Sequence, residues 1–139
     1  MRSRLILALS AVAVLATTGT SLARQQGAQP SPLKRTVLQT HALVTAPGHD
    51  GITVLAELAV GASAPRHTHP GEEFVYVLDG TATFDMAGQP LLSIKPGDAF
   101  FIPPNTPHVA KNTGKVPLKL LSNYIIPTGQ PLATPAPLP

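Results

Sequence analysis

Residues 61 to 80 read GASAPRHTHPGEEFVYVLDG, and this stretch decides the fold. The run Glu73-Phe74-Val75-Tyr76-Val77-Leu78 is rich in β-branched and aromatic residues and ends on the turn pair Asp79-Gly80, as a strand should. Side chains alternate between faces on an extended chain, so His67 and His69, two apart, share a face. The same alternation puts Glu73 on the face of Val75 and Val77 and turns Glu72 the other way. Two imidazoles on one face make half of a metal site, and they become ligands only where more donors converge. A carboxylate arriving on the adjoining strand is one such donor. Asp79-Gly80, lying between two β runs, is expected to close a two-residue hairpin in which both residues take positive φ.

Outward from this stretch, the chain between residues 35 and 126 is a succession of short β runs bounded by Gly, Pro, Asp or Asn, with no helical periodicity. The predicted strands are Thr36–Thr45, Ile52–Val60, Glu73–Leu78, Thr81–Met86, Leu91–Ile94, Ala99–Ile102, His108–Lys111 and Leu118–Ile126. Pro96-Gly97 fits a tight turn. Pro103, Pro104 and Pro107 cannot sit inside a central strand, so the segment from Ile102 to Pro107 should be a shaped loop leading to His108. Strands this short and this regularly punctuated define an all-β sandwich or closed barrel.

The ends differ in character from the middle. Met1-Arg2-Ser3-Arg4 is a basic start, Leu5 to Ala16 is apolar apart from Ser10, and Ser21-Leu22-Ala23 supplies the small residues of a cleavage site. Residues 1–23 are therefore expected to be a signal peptide and the protein to be exported, periplasmic or secreted. The apolar run is shorter than the ~20 residues that span a bilayer, so no membrane association is expected after cleavage. Residues 24–34 read as a flexible leader, 35–126 as one domain, and 127–139, with five prolines and no charge, as an extended or disordered tail. Loss of Arg2 and Arg4 leaves eight Lys and Arg against seven Asp and Glu. No basic cluster interleaved with aromatics remains, which argues against nucleic acid as a partner. Cysteine is absent, so neither a disulfide nor a thiolate is available to the fold or the chemistry.

Taken together, Gly61, His67, His69, Glu73 and Gly80 stand at the spacings of the first signature motif of the cupin superfamily, which this stretch resembles at every position. Gly97, Pro103, His108 and Asn112 resemble the second motif, with Asn105 where the family usually has glycine. Asn tolerates the left-handed conformation better than other non-glycine residues, so the turn should survive. The resemblance implies a double-stranded β-helix, the small cupin jelly-roll barrel, as a single domain. It also implies that His67, His69, Glu73 and His108 hold a divalent first-row metal: manganese, iron, nickel, copper or zinc. Parity and the spacing to Gly80 favour Glu73 over Glu72 as the carboxylate.

Parity also sketches a pocket. Val75 and Val77 should line it beside Glu73, and Ala110 beside His108, while Phe84, Phe100 and Tyr124 are candidate walls whose facing alternation leaves open. Arg66 and Lys111 are out of phase with the neighbouring histidines and should point outward, which leaves no inward cation to recognise a strongly anionic group. A small neutral or weakly anionic organic molecule is the expected ligand or substrate. The resemblance implies three functions: a metal-dependent enzyme, foremost a dioxygenase but also an isomerase or lyase; a non-catalytic periplasmic protein binding a small ligand or the metal; or a structural cupin homodimer exchanging Thr36–Thr45. No catalytic residue is assigned beyond the metal ligands.

Overall fold

The computed structural model describes residues 32–137, so the expected signal peptide and most of the expected leader lie outside the described residues. Ten strands and no helix make up that part of the chain: β1 (Leu33–Ala42), β2 (His49–Leu58), β3 (His67–Thr68), β4 (Glu72–Asp79), β5 (Ala82–Met86), β6 (Leu92–Ile94), β7 (Ala99–Ile102), β8 (His108–Asn112), β9 (Leu118–Pro127) and β10 (Thr134–Pro135). They form two five-stranded sheets, ordered β1-β2-β9-β4-β7 and β10-β3-β8-β5-β6, in which every pairing is antiparallel.

Alternation dictates what lies between the sheets. Along β9 the buried positions are Leu118, Leu120, Ser122, Tyr124 and Ile126, and along β4 they are Glu73, Val75 and Val77. From the facing sheet come Ala82, Phe84 and Met86 of β5, Ile94 of β6, and His108, Ala110 and Asn112 of β8. One apolar cluster, which includes Val77, Leu118 and Ile102, packs the two sheets together. Each such side chain contributes about 1.5–3 kcal/mol by leaving water, the main term available to a chain without disulfides. The buried polar exceptions are His67, His69, Glu73, His108, Asn112 and Ser122, the first five of them from the two motifs.

Three features differ from the expected pattern. Asp79-Gly80 does not close a hairpin: β4 and β5 belong to different sheets, and the pair carries the chain across the edge. Only Gly80 takes positive φ, at 80°, while the Asp79 carboxylate accepts a hydrogen bond from the Gly80 N–H at 2.8 Å. A Cβ at Gly80 would stand 2.8 Å from the Leu118 backbone, so glycine is needed for the close approach as well as for φ. β1 begins at Leu33, three residues before the predicted start, which brings Arg35 into the sheet. Finally, residues 128–137 return along the barrel: β10 pairs with β3, and the Ala136 N–H donates to the Arg66 carbonyl at 3.0 Å.

The loop turns behave as their residues require. Lys95 to Asp98 form a tight turn closed by the Asp98 N–H on the Lys95 carbonyl at 3.1 Å, with Gly97 at φ 93°. Asn105 is the one non-glycine with positive φ among the described residues, at 58°, and its N–H donates to the His69 carbonyl at 2.8 Å. The loop before His108 is thereby tied to the segment that carries the other two histidines.

Candidate metal centre

The second motif brings its histidine to the first by strand pairing: His67 lies directly opposite His108 in the β3–β8 register. On the facing sheet Glu73 lies opposite Tyr124 of β9 and Ile102 of β7. The three imidazoles converge with ring centroids 4.8 Å (His67–His69), 4.3 Å (His67–His108) and 5.0 Å (His69–His108) apart. Their ligand atoms all lie within 4.8 Å of one another. Glu73 Oε2 stands 3.0 Å from His69 Nε2 and 3.7 Å from His108 Nε2. Glu72 is on the outer face of the same strand, away from this cluster.

The outer nitrogen of each ring is held by the backbone. Nδ1 of His67 donates to the Pro65 carbonyl at 2.7 Å, Nδ1 of His108 to the Thr106 carbonyl at 2.8 Å, and Nδ1 of His69 to the Leu132 carbonyl. A carbonyl only accepts, so Nδ1 carries the proton and each Nε2 turns a lone pair into the cluster, as metal-ligating histidines do. His69 Nε2 and Glu73 Oε2 are buried and, although close, are not aligned for a hydrogen bond, so neither has a directed partner. Such orphaned buried atoms cost free energy unless something else satisfies them. Three imidazole nitrogens and one carboxylate oxygen fit a divalent first-row metal.

Electrostatics favours the ligating protonation states. Burial, aided by His108, lowers the His67 pKa from 6.5 to about 4, and burial likewise lowers that of His108. Both rings are thus neutral at physiological pH. Burial by itself would push the Glu73 carboxyl upward, but the adjacent His69 and His108 and the Ser122 hydroxyl outweigh it and hold the group below the ordinary carboxylate value. Burial and the Glu73 charge push the Tyr124 phenol well above its ordinary value, so it remains a proton donor beside the carboxylate. The Tyr124 ring packs on His69 with centroids 4.7 Å apart.

Beside the cluster is a cavity of about 40 Å³ lined by Phe84, Ala110, Leu118, Leu120 and Ala56 together with His67, His108, Glu73, Ser122 and Tyr124. That is room for about two or three water-sized groups. Of the expected walls, Phe84, Ala110 and Tyr124 face it; Val75, Val77 and Phe100 do not. The cavity extends along β9 and β2 toward β1, whereas β4 borders β7 on the far side. Val75 and Val77 are consequently packed into the apolar cluster, and Phe100 lies behind Phe84 at 4.8 Å between centroids.

Three participants were not found from the sequence. Ser122 follows the inward alternation of β9 and was legible there. The Leu132 carbonyl lies in a tail with no strand pattern of its own. Arg35 is the correction that matters for chemistry: its Nη2 donates to His67 Nε2 at 3.3 Å, and the side chain lines the cavity, so an inward cation is present after all. Arg66 lies outside the cavity and pairs with Asp85 at 3.3 Å, and Lys111 is exposed.

A family model described as a cupin domain matches residues 54–124, half of the chain, and the chain belongs to that family. It is 39% identical over 67 residues to an uncharacterised protein of Methanocaldococcus jannaschii, covering 48% of this chain and 53% of that one. It is 39% identical over 54 residues to the dimethylsulfoniopropionate lyase DddQ of Ruegeria pomeroyi, covering 39% of this chain and 27% of the lyase. The chain therefore spans about half the length of one relative and about a quarter of the other. The crystal structure of that lyase aligns with TM-score 0.64 at 22% identity, covering 88% of this chain and 59% of the other. A double-stranded β-helix protein of Klebsiella pneumoniae aligns with TM-score 0.63 at 20% identity, covering 79% and 89%. At these identities the structural likeness is one of fold.

Proposed function

We propose that this chain is a metal-dependent cupin enzyme that acts on a small organic molecule, with His67, His69, Glu73 and His108 as the ligands. The observation that carries the reading is the backbone lock on all three Nδ1 atoms, which aims three unprotonated Nε2 atoms at one buried carboxylate beside a small cavity. A bound divalent ion would supply Lewis acidity to a substrate oxygen in that cavity. The residues around it do the rest. Tyr124 and Ser122 hold the Glu73 carboxylate, Phe84, Leu118 and Leu120 keep bulk water out, and the His67 and His108 imidazoles stay neutral.

Two reaction classes suit such a centre. A non-oxidative elimination is supported by the sequence match to a lyase over 54 residues. A dioxygenase reaction is supported by the mostly apolar walls, which would hold dioxygen and an organic substrate away from water. A metal-loaded sample screened against small carboxylic acids, diketones and catechols, in air and under nitrogen, separates them. Turnover that persists under nitrogen selects the elimination; turnover with matching oxygen uptake selects the oxygenase. Ligand-induced stabilisation with no product at any metal loading would leave a binding protein and defeat the enzyme reading.

A further inference from the structure

Arg35 and Arg66 have no place in the metal chemistry just described, yet both open onto one feature. A cleft of about 220 Å³ is lined by Arg35, Pro65, Arg66, His67 and residues 133–135 of the returning tail. Arg35 and His67 line this cleft and the inner cavity alike, so the two spaces meet at the Arg35 guanidinium. No carboxylate lines the cleft, and among the described residues Arg35 forms no ion pair with one. Among the described residues its one side-chain hydrogen bond is the donation to His67 Nε2, the lone pair a metal would take. Arg66 pairs with Asp85 through Nη1, leaving its buried Nε–H without a partner.

The charges point the same way. One carboxylate, Glu73, lines the inner cavity against the Arg35 guanidinium, and a divalent ion held by the four ligands would leave the mouth of the site net positive. The forked donors of a guanidinium match a carboxylate in two parallel hydrogen bonds. Beyond the mouth the inner walls are apolar and admit only a few heavy atoms.

Building on the metal-dependent reading, we propose that the cleft is an entrance vestibule for a small organic carboxylate, whose anionic end is held by Arg35 while its short apolar part enters the cavity. This narrows the substrate to a carboxylic acid of a few carbons and makes Arg35 a specificity residue that is not a metal ligand.

The test uses the full chain loaded with zinc, with metal content measured by mass spectrometry and binding by calorimetry. The probes are butyrate, its neutral isostere butyramide, and inorganic phosphate. The wild-type protein should bind butyrate in preference to both others. Arg35→Ala should retain zinc and bind butyrate about tenfold or more weakly, the loss expected when a charged hydrogen-bond partner is removed. Arg35→Lys should fall between them, since an ammonium cannot reproduce the paired geometry. Unchanged butyrate affinity in Arg35→Ala would overturn the proposal. So would loss of zinc in that variant, because Arg35 would then serve the metal site itself. Phosphate binding tighter than butyrate would overturn the carboxylate assignment. Failure of the wild-type protein to take up zinc or any other first-row ion would instead defeat the underlying metal reading, a distinguishable result.

Discussion

His67 gives the metal-free protein a pH dependence of definite sign. Its pKa is about 4 when folded against 6.5 for the free side chain, so between those values the unfolded chain binds more protons. Stability contributed by the neutral ring is present above pH 6.5 and is lost as pH falls toward about 4. Glu73, lowered in its turn, contributes in the same direction at the acid end of that range. Urea titrations of metal-free protein should therefore show stability falling through this window, and His67→Gln should flatten the fall. The residue scale is also where the sequence was most legible. Period-two alternation needs no knowledge of partners; it put His67 and His69 together and, with the spacing to Gly80, separated Glu73 from Glu72. Arg35 was missed for a related reason: alternation can be counted only inside a strand, and the predicted start at Thr36 left Arg35 outside.

The element that most changes the account is the returning tail. Its Leu132 carbonyl fixes His69, and its β10 pairing covers β3, although residues 128–139 have no alternation and four prolines. Deleting residues 128–139 should leave the two sheets folded, because the tail supplies only a two-residue strand, while metal affinity falls about 10–100-fold, the usual cost of removing the group that orients a ligating imidazole. Equal metal affinity in the truncated and full chains would show that His69 needs no such support. A second stitch is Asn112, buried at the end of β8, whose amide donates to the Leu58 and Val116 carbonyls at 3.0 and 2.9 Å and accepts from the Gly114 N–H at 2.9 Å. Asn112→Ala strands all three groups and should cost about 2–4 kcal/mol by chemical denaturation, with metal content unchanged. Elements of this kind lie beyond local pattern. Asp79-Gly80 has the chemistry of a hairpin turn, but a dipeptide cannot report that its flanking strands join different sheets. Two-residue strands such as β3 and β10 are too short for any period.

At the scale of the whole molecule, the barrel divides its labour between an apolar core and a polar cluster beside it. The core that includes Val77, Leu118 and Ile102 holds the sheets together, while His67, His69, Glu73 and His108 converge next to it with His69 Nε2 and Glu73 Oε2 left for a ligand to satisfy. Binding of a metal to the folded chain alone should raise stability by about 4 kcal/mol at a free concentration a thousand times the dissociation constant. A scan with and without chelator would read this as a large drop in Tm on metal removal. No change in Tm would mean that the cluster is satisfied without an ion. The all-β class was legible because eight of the ten strands carry their own pattern, and the cupin barrel because the two motifs resemble those of the family. The cavity's direction was not, since it depends on which strand neighbours which.

The central claim is that His67, His69, Glu73 and His108 form one metal centre, and metal content tests it most directly. Wild-type protein and the His69→Ala and His108→Ala variants, each shown to be folded by circular dichroism, would be loaded, dialysed and measured by elemental mass spectrometry. The account predicts about one first-row ion per wild-type chain and background levels in both variants. Folded variants that keep the wild-type metal content would contradict it.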